Sequence, residues 1–198
     1  MNNVIPRVTD NKDKGTTYKM YMEKYNKAIK YDYFLEAIVI NYAMLEDRLL
    51  AFLHYTGVIS RTHNKIGVNK FCRPQIRSLI GYKPNSAINV NNISTKIKLA
   101  KALFSISDKE EDKYLSTVHS LLSERISAYE FNETLDEIVT WCNIRNQYIH
   151  ALLNKNYYAL QDGLCEYAKH GLKLARKVDG YVKNVKRGNT IRKKFKIQ

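Results

Sequence analysis

The sequence has few residues that interrupt helices and few cysteines. Its 198 residues include eight glycines and three prolines, well below the usual share of roughly 12% for these two residues together. So few chain breakers disfavour a turn-dense β-sandwich or barrel and favour long helices. Cys72, Cys142 and Cys165 are odd in number and lack metal-ligand spacing. We therefore expect no disulfide scaffold, and we assign the chain to a reducing cytoplasm.

The sequence also lacks a long hydrophobic run. No apolar stretch approaches the roughly 18–20 residues that cross a bilayer, and the N-terminal segment has no apolar region typical of a secretory signal. Hydrophobic residues still make up 44% of the chain, which is enough for a core. We expect a flexible leader over residues 1–15, one helical domain over 16–185 and a basic tail over 186–198.

Acidic residues are scarce, and the charges are unevenly distributed. The formal net charge is +14. Residues 57–103 hold nine Lys or Arg and no acid, and residues 169–198 hold eleven bases and one acid. Between them, residues 104–137 carry nine acids and three bases. Two basic blocks of this kind indicate a polyanionic partner, most simply nucleic acid. The alternative is that these lysines only solvate helix surfaces.

The apolar residues recur at helical spacing. The longest apolar stretch covers residues 31–56, and Gly57 directly after it is the expected helix C-cap. A first helix is expected from Thr16 or Thr17 to residue 30, a short one at 74–80 within a long basic loop, and another at 94–105. Later helices are expected from Ser107 or Asp108 to 128, from Asn132 to 153, and over 157–185. The predicted inward seam of the last helix is Leu164, Ala168, Gly171, Ala175, Val178, Val182 and Val185. The fold class is therefore all-α, an antiparallel helical bundle.

Common catalytic motifs are missing. The sequence has no phosphate-binding glycine loop, no H-E-x-x-H, no paired C-x-x-C and no nucleophile elbow, so we expect neither a metal nor an organic cofactor. The informative segment contains Arg145, Asn146 and His150. Arg145 follows Cys142 within an apolar stripe, where a guanidinium is costly unless it meets an anion or a solvent-filled cleft. A structural arginine paired with a buried carboxylate is the other interpretation.

The spacing Arg145-Asn146-x-x-x-His150 resembles the R-x(4–6)-H motif of the HEPN superfamily, small helical bundles that include many prokaryotic ribonucleases. The polar residue after the arginine and the position of the motif before one last long helix both agree with that family. An acidic residue on an early hydrophobic helix is also typical, and Glu46 occupies such a place. Arg48 and His54 satisfy the same spacing, but Leu49 follows that arginine, so we favour the later pair.

The resemblance implies a metal-independent endoribonuclease whose active site is composed across a homodimer. The ribose 2′-hydroxyl would attack the adjacent phosphate and leave a 2′,3′-cyclic phosphate and a 5′-hydroxyl. His150 would transfer the proton, Arg145 would stabilise the phosphorane-like charge, and Asn146 would orient the histidine or the phosphate. Glu46 would position Arg145 or stabilise a charged histidine. Members of the toxin or abortive-infection type act in antiviral defence, and an antitoxin partner is then possible.

Other basic residues are candidates for gripping RNA. Arg73 and Arg77 flank Pro74 in the basic loop region, although a solvated loop is an equal alternative. The tail offers a further set, Lys186, Arg187, Arg192, Lys193 and Lys194. A catalytically inactive HEPN-like module that binds RNA or a protein is the second functional hypothesis. A DNA-binding helical protein is a third, although no helix-turn-helix signature is evident.

Overall fold

A computed structural model describes residues 11–62, 65–69, 73–83, 88–105, 112–151, 163–187 and 191 of the chain. The described part is mostly helical, which confirms the all-α class apart from one short hairpin. Its elements in chain order are α1 (Asn11–Lys30), α2 (Phe34–Tyr55), β1 (Ile59–Thr62), β2 (Lys65–Val68), α3 (Arg73–Leu79), α4 (Ile93–Ala102), α5 (Lys113–Ser123), α6 (Ala128–Ala151) and α7 (Leu164–Lys186).

The central helix is α2, which packs against α1, α4 and α7. Its buried residues include Leu45, Leu49 and Phe52, which are not exposed at all, as the apolar spacing predicts. The predicted cap is also present: Gly57 adopts φ +77° directly after the helix, and its N–H donates to the carbonyl of His54 at 3.0 Å. A glycine enters this left-handed conformation without the steric penalty of a Cβ.

Contacts along α2, α6 and α7 fix their relative directions. Phe52 stacks on Phe131 while Tyr42 lies near Arg145, so α2 and α6 run antiparallel. The amide of Asn41 donates to the carbonyl of Ala168 at 2.6 Å, and Arg48 bonds Asp179 further along both helices. The helices α2 and α7 are therefore parallel, and the predicted antiparallel arrangement does not hold for this pair.

The predicted seam of α7 is confirmed. All seven of its residues are buried, because their alternating steps of four and three keep them on one side of the helix. The seam comes closest to α6 at Gly171. A Cβ at that position would lie 2.5 Å and 2.8 Å from two atoms of the Trp141 ring. Glycine is needed there so that the indole of α6 can pack directly against the backbone of α7.

The hairpin was not predicted from the sequence, which led us to expect a long loop after Gly57. The two strands are antiparallel, with Ile59 opposite Val68 and Arg61 opposite Ile66. Ile59 and Val68 are both buried, so the hairpin covers one edge of the core. Each strand has only four residues, too few for apolar alternation to stand out in the sequence.

Several predicted boundaries were wrong. Residues 11–15, expected within the leader, are helical, because α1 already begins at Asn11. Helix α6 begins at Ala128, and the Ser127 hydroxyl accepts from the N–H of Glu130 at 3.3 Å, so Asn132 lies inside the helix and does not cap it. The cap of α5 is Asp112. Positions 107 and 108, which we expected to cap that helix, lie outside the described residues, as do 157–162.

The chain after α7 is not simply a solvated tail. Ile191 is only 5% exposed and belongs to the hydrophobic core, so the chain returns to the core after the last long helix. Within the described ranges, no helix combines the length and the apolar character needed to cross a membrane.

Candidate functional site

Arg145 lies on α6, facing α2. Its side chain is half-buried, and its guanidinium carbon is 4.0 Å from the centre of the Tyr42 ring. A guanidinium stacked on an aromatic face is attracted by the electron density of the ring and gives up little of its charge. The ring therefore supports the arginine sterically and leaves its positive charge uncompensated.

Among the described residues, Arg145 makes no ion pair with a carboxylate, and its buried Nε has no hydrogen-bond partner. The interpretation of Arg145 as a structural arginine paired with a buried carboxylate therefore finds no support in the described part of the chain. A half-buried guanidinium without a counter-ion is a favourable place for an anion, because its planar donors match a phosphate or carboxylate.

Glu46 is paired, as its position in the apolar stripe requires, but its partner is Lys96. The Lys96 ammonium lies 3.0 Å from the Glu46 carboxylate and also donates to the carbonyl of Asn91 at 3.2 Å. The side chain of Lys96 is only 6% exposed, and a buried ammonium requires such a counter-ion. Direct pairing of Glu46 with Arg145 is not observed. Lys96 is one of the nine bases of residues 57–103, but it is buried and not part of a basic surface.

The part of α6 that carries Arg145 is held in place by Tyr167 of α7. The Tyr167 ring stacks on Trp141 with centroids 5.1 Å apart and contacts Tyr148 at 5.4 Å. The Tyr167 hydroxyl donates to the carbonyl of Trp141, and the Trp141 indole N–H donates to the carbonyl of Tyr167 at 3.1 Å. Trp141 is 1% exposed, so it serves as a core residue and cannot be a stacking platform for bases.

Asn146 and His150 are exposed on the outer side of α6. They are four residues apart and therefore share one face of the helix. Arg145 points inward toward Tyr42, so the three predicted site residues occupy neighbouring positions but do not converge on one point within the described chain. Ile149, four residues after Arg145, is 38% exposed, whereas the neighbouring Tyr148 is half-buried.

The pKa values of two groups beside Arg145, the Cys142 thiol and the Tyr42 hydroxyl, are raised by burial. Burial raises the pKa of the Cys142 thiol to about 11, with the nearby Glu46 charge adding to the effect and Arg145 opposing it. Burial also raises the pKa of Tyr42, again with Glu46 adding to it and Arg145 opposing it. At neutral pH both groups stay protonated, so Cys142 is a poor nucleophile.

The second pair with matching spacing, Arg48 and His54, is built differently. Arg48 contacts Asp47 at 2.5 Å and Asp179 at 3.0 Å, and its guanidinium lies 4.4 Å from the centre of the Tyr18 ring. Two carboxylates neutralise this arginine and join α2 to α7. This compensation marks Arg48 as a structural arginine, which agrees with our preference for the pair at 145 and 150.

The predicted RNA-binding residues are spread over several elements. Arg73 and Arg77 belong to α3, and Arg77 is half-buried. Lys186 is the last residue of α7 and Arg187 follows it, and both are exposed. Arg192, Lys193 and Lys194 lie outside the described residues.

The sequence does not indicate the roles of Tyr42 and Lys96 beside the candidate site, because their partners are more than forty residues away in the chain.

The described ranges contain no group of three or more His, Cys, Asp or Glu side chains that could hold a metal ion. Comparison with protein-family models gives no match for this chain, and comparisons with curated proteins and with solved structures give no significant match.

Proposed function

We propose that the chain is a metal-independent endoribonuclease of the HEPN type, with Arg145, Asn146 and His150 as its catalytic residues. The observation that carries this proposal is the guanidinium of Arg145, held 4.0 Å from the Tyr42 ring with no carboxylate partner in the described chain. Arg48 also fits the R-x(4–6)-H range, with His54, but it has two carboxylate partners. Only the later arginine keeps its charge available for a phosphate.

The proposed reaction needs one base, one acid and one cation. His150 takes the proton of the ribose 2′-hydroxyl, and the resulting oxygen attacks the adjacent phosphorus. The bond from phosphorus to the 5′-oxygen breaks, and that oxygen takes a proton from the general acid, which is the His150 of another copy. Arg145 stabilises the charge that develops on the phosphoryl oxygens, and Asn146 orients the phosphate. Glu46 is a positioning residue that acts through its ion pair with Lys96.

The site is completed by a second copy of the chain. Val139, Asn143, Asn146 and His150 follow one another at steps of four, three and four, and all are exposed. Such a row is one continuous face of α6. Packing it against its own symmetry mate across a two-fold axis brings two His150 and two Asn146 side chains to one cleft, and each Arg145 would have to turn from Tyr42 to reach it.

The dimer is the first testable consequence. We expect light scattering over a concentration series to give the mass of two chains, and Val139→Lys to shift the equilibrium toward monomer because it places a cation in the proposed interface. Tyr129→Lys is the matched control, since Tyr129 is 75% exposed at the other end of α6. A monomeric wild type, or equal behaviour of the two variants, would contradict a site composed across α6.

Cleavage itself is tested with purified protein and total RNA in the presence of EDTA. We expect fragments that carry 2′,3′-cyclic phosphate and 5′-hydroxyl ends, because attack by the 2′-hydroxyl needs no metal. Substrates with 2′-O-methyl groups should resist cleavage for the same reason. Activity that requires a divalent ion, or 5′-phosphate ends, would show that a different chemistry operates.

The second candidate is a catalytically inactive HEPN-like module that binds RNA or a protein. Direct pairing of Glu46 with Lys96 favours it, because the carboxylate is then not in contact with the proposed catalytic residues. RNA binding without cleavage in the EDTA experiment would support this candidate. For the active enzyme we propose a toxin or abortive-infection role in the cytoplasm, with an antitoxin as its regulator.

A further inference from the structure

A cleft of about 950 Å³ lies between α1, α2 and α7. This volume is near the upper end of the roughly 300–1,000 Å³ that ligand clefts enclose. Its lining includes five cationic side chains from all three helices: Lys14, Arg48, Arg176, Lys183 and Lys186. Tyr42, Arg145, Asn146 and His150 do not line it, so this cleft is separate from the candidate catalytic site.

The cations in this cleft outnumber the carboxylates. Asp47 contacts Lys14 at 2.8 Å and Arg48 at 2.5 Å, and Asp179 contacts Arg48 at 3.0 Å and Lys183 at 2.8 Å. Two acids are thus shared among three bases. The other two lining cations, Arg176 and Lys186, have no ion-pair partner in the described chain. The cleft keeps a net positive charge that an anionic ligand would neutralise.

The positive surface continues along α7. A second depression of about 510 Å³ is lined by Lys169, Lys173 and Lys177, and it shares Arg176 with the cleft. Lys169, Lys173, Arg176, Lys183 and Arg187 recur at multiples of three and four residues, which places them on one side of the helix. From Lys169 to Arg187 this side extends over about 27 Å at 1.5 Å per residue. It is long enough for several consecutive phosphates.

Aromatic rings lie among these cations. Tyr18 and Tyr55 both line the cleft, and the Lys186 ammonium lies 5.5 Å from the centre of the Tyr55 ring. A cationic groove with aromatic faces is the composition that binds single-stranded nucleic acid, since the cations follow the backbone and the rings stack on bases. A duplex is read by elements that protrude into its grooves, whereas this surface is concave.

We propose that the cleft and the basic side of α7 form a binding surface for single-stranded nucleic acid, separate from the Arg145 site. The ligand is held through its phosphates and by stacking, and sequence is not read by base edges. Because RNA and DNA strands share these features, both are expected to bind. The surface does not depend on any catalytic activity of the chain.

The test is a triple variant that removes three exposed charges, Lys173→Gln, Arg176→Gln and Lys186→Gln. None of the three has an ion-pair partner in the described residues, so thermal unfolding should change little. The control triple is Lys19→Gln, Lys98→Gln and Lys113→Gln. It removes the same charge from exposed lysines outside both depressions.

The probe is a fluorescein-labelled oligothymidylate strand, whose missing 2′-hydroxyls prevent cleavage by the proposed chemistry. We expect the first triple to weaken binding at least about tenfold and to flatten the slope of log affinity against log salt by about 2, at roughly 0.7 per lost phosphate contact. The control triple should change both quantities far less. Equal effects of the two triples would overturn the proposal, as would binding of a duplex as tight as binding of the single strand.

Discussion

His150→Ala is expected to lower RNA cleavage in EDTA by about 10²–10⁴-fold, the usual contribution of a general acid or base. The histidine is exposed on α6, so its truncation should leave the unfolding midpoint nearly unchanged. Rates are compared by single-turnover cleavage of a labelled RNA, with circular dichroism as the check on folding. Arg145→Lys should also lose most activity, because lysine keeps the charge but not the planar donors that stack on Tyr42.

The matched control is His170→Ala. His170 is also exposed, and it lies on α7 beside Glu137 at 3.5 Å, away from the Arg145 site. Its truncation should leave cleavage unchanged. If His150→Ala and His170→Ala retained equal, wild-type activity, His150 would be removed from the mechanism. If wild type cleaved RNA and Arg145→Lys cleaved it equally well, the stacked guanidinium would have no catalytic role.

Gly171→Ala is expected to destabilise the fold by about 1–3 kcal/mol, the usual cost of adding a methyl group to a filled core. The new Cβ would lie 2.5 Å from the Trp141 ring and 3.0 Å from the Asn41 amide. Neither group can move easily: the indole is stacked on Tyr167, and the amide donates to the carbonyl of Ala168. Alanine favours a helix by up to about 1 kcal/mol over glycine, but this gain is smaller than the energetic cost of the overlap.

Gly180→Ala in the same helix is the control with the opposite expected sign. No atom lies within 4 Å of a Cβ at this position, so only the helix propensity remains, and stability should rise by about 0.5–1 kcal/mol. Urea unfolding of the two variants measures both effects. A shift of the same sign for both would show that the contact between Gly171 and Trp141 does not limit the packing of α6 on α7.

The helices could be predicted because their patterns are local. The seam of α7 follows from spacing alone, and Gly57 marks the end of α2 through its own backbone freedom. The hairpin at Ile59 could not be predicted, since two four-residue strands become stable only by packing on the core. Tyr129 continues the helical spacing of the buried Leu122 and Ile126 but is 75% exposed, because α5 ends at Ser123 and a new helix begins at Ala128.

The candidate site was predictable only in part. The sequence identified Arg145 as an unusual charge in an apolar stripe, and the structure places it there, half-buried. The aromatic support of Tyr42 and the pairing of Glu46 with Lys96 join residues distant in the chain, so no local spacing indicates them. A basic block in the sequence also does not define a basic surface, since Lys96 is buried whereas Lys173 and Arg176 are exposed on α7.

The packing around Trp141 also gives the molecule a built-in optical reporter. It is the only tryptophan of the chain, it is stacked on a tyrosine, and it precedes Arg145 by one helical turn. Its emission therefore originates from one known junction, between α6 and α7. A change in the packing of α6 on α7 alters the surroundings of the indole, so it can be followed by intrinsic fluorescence without any label.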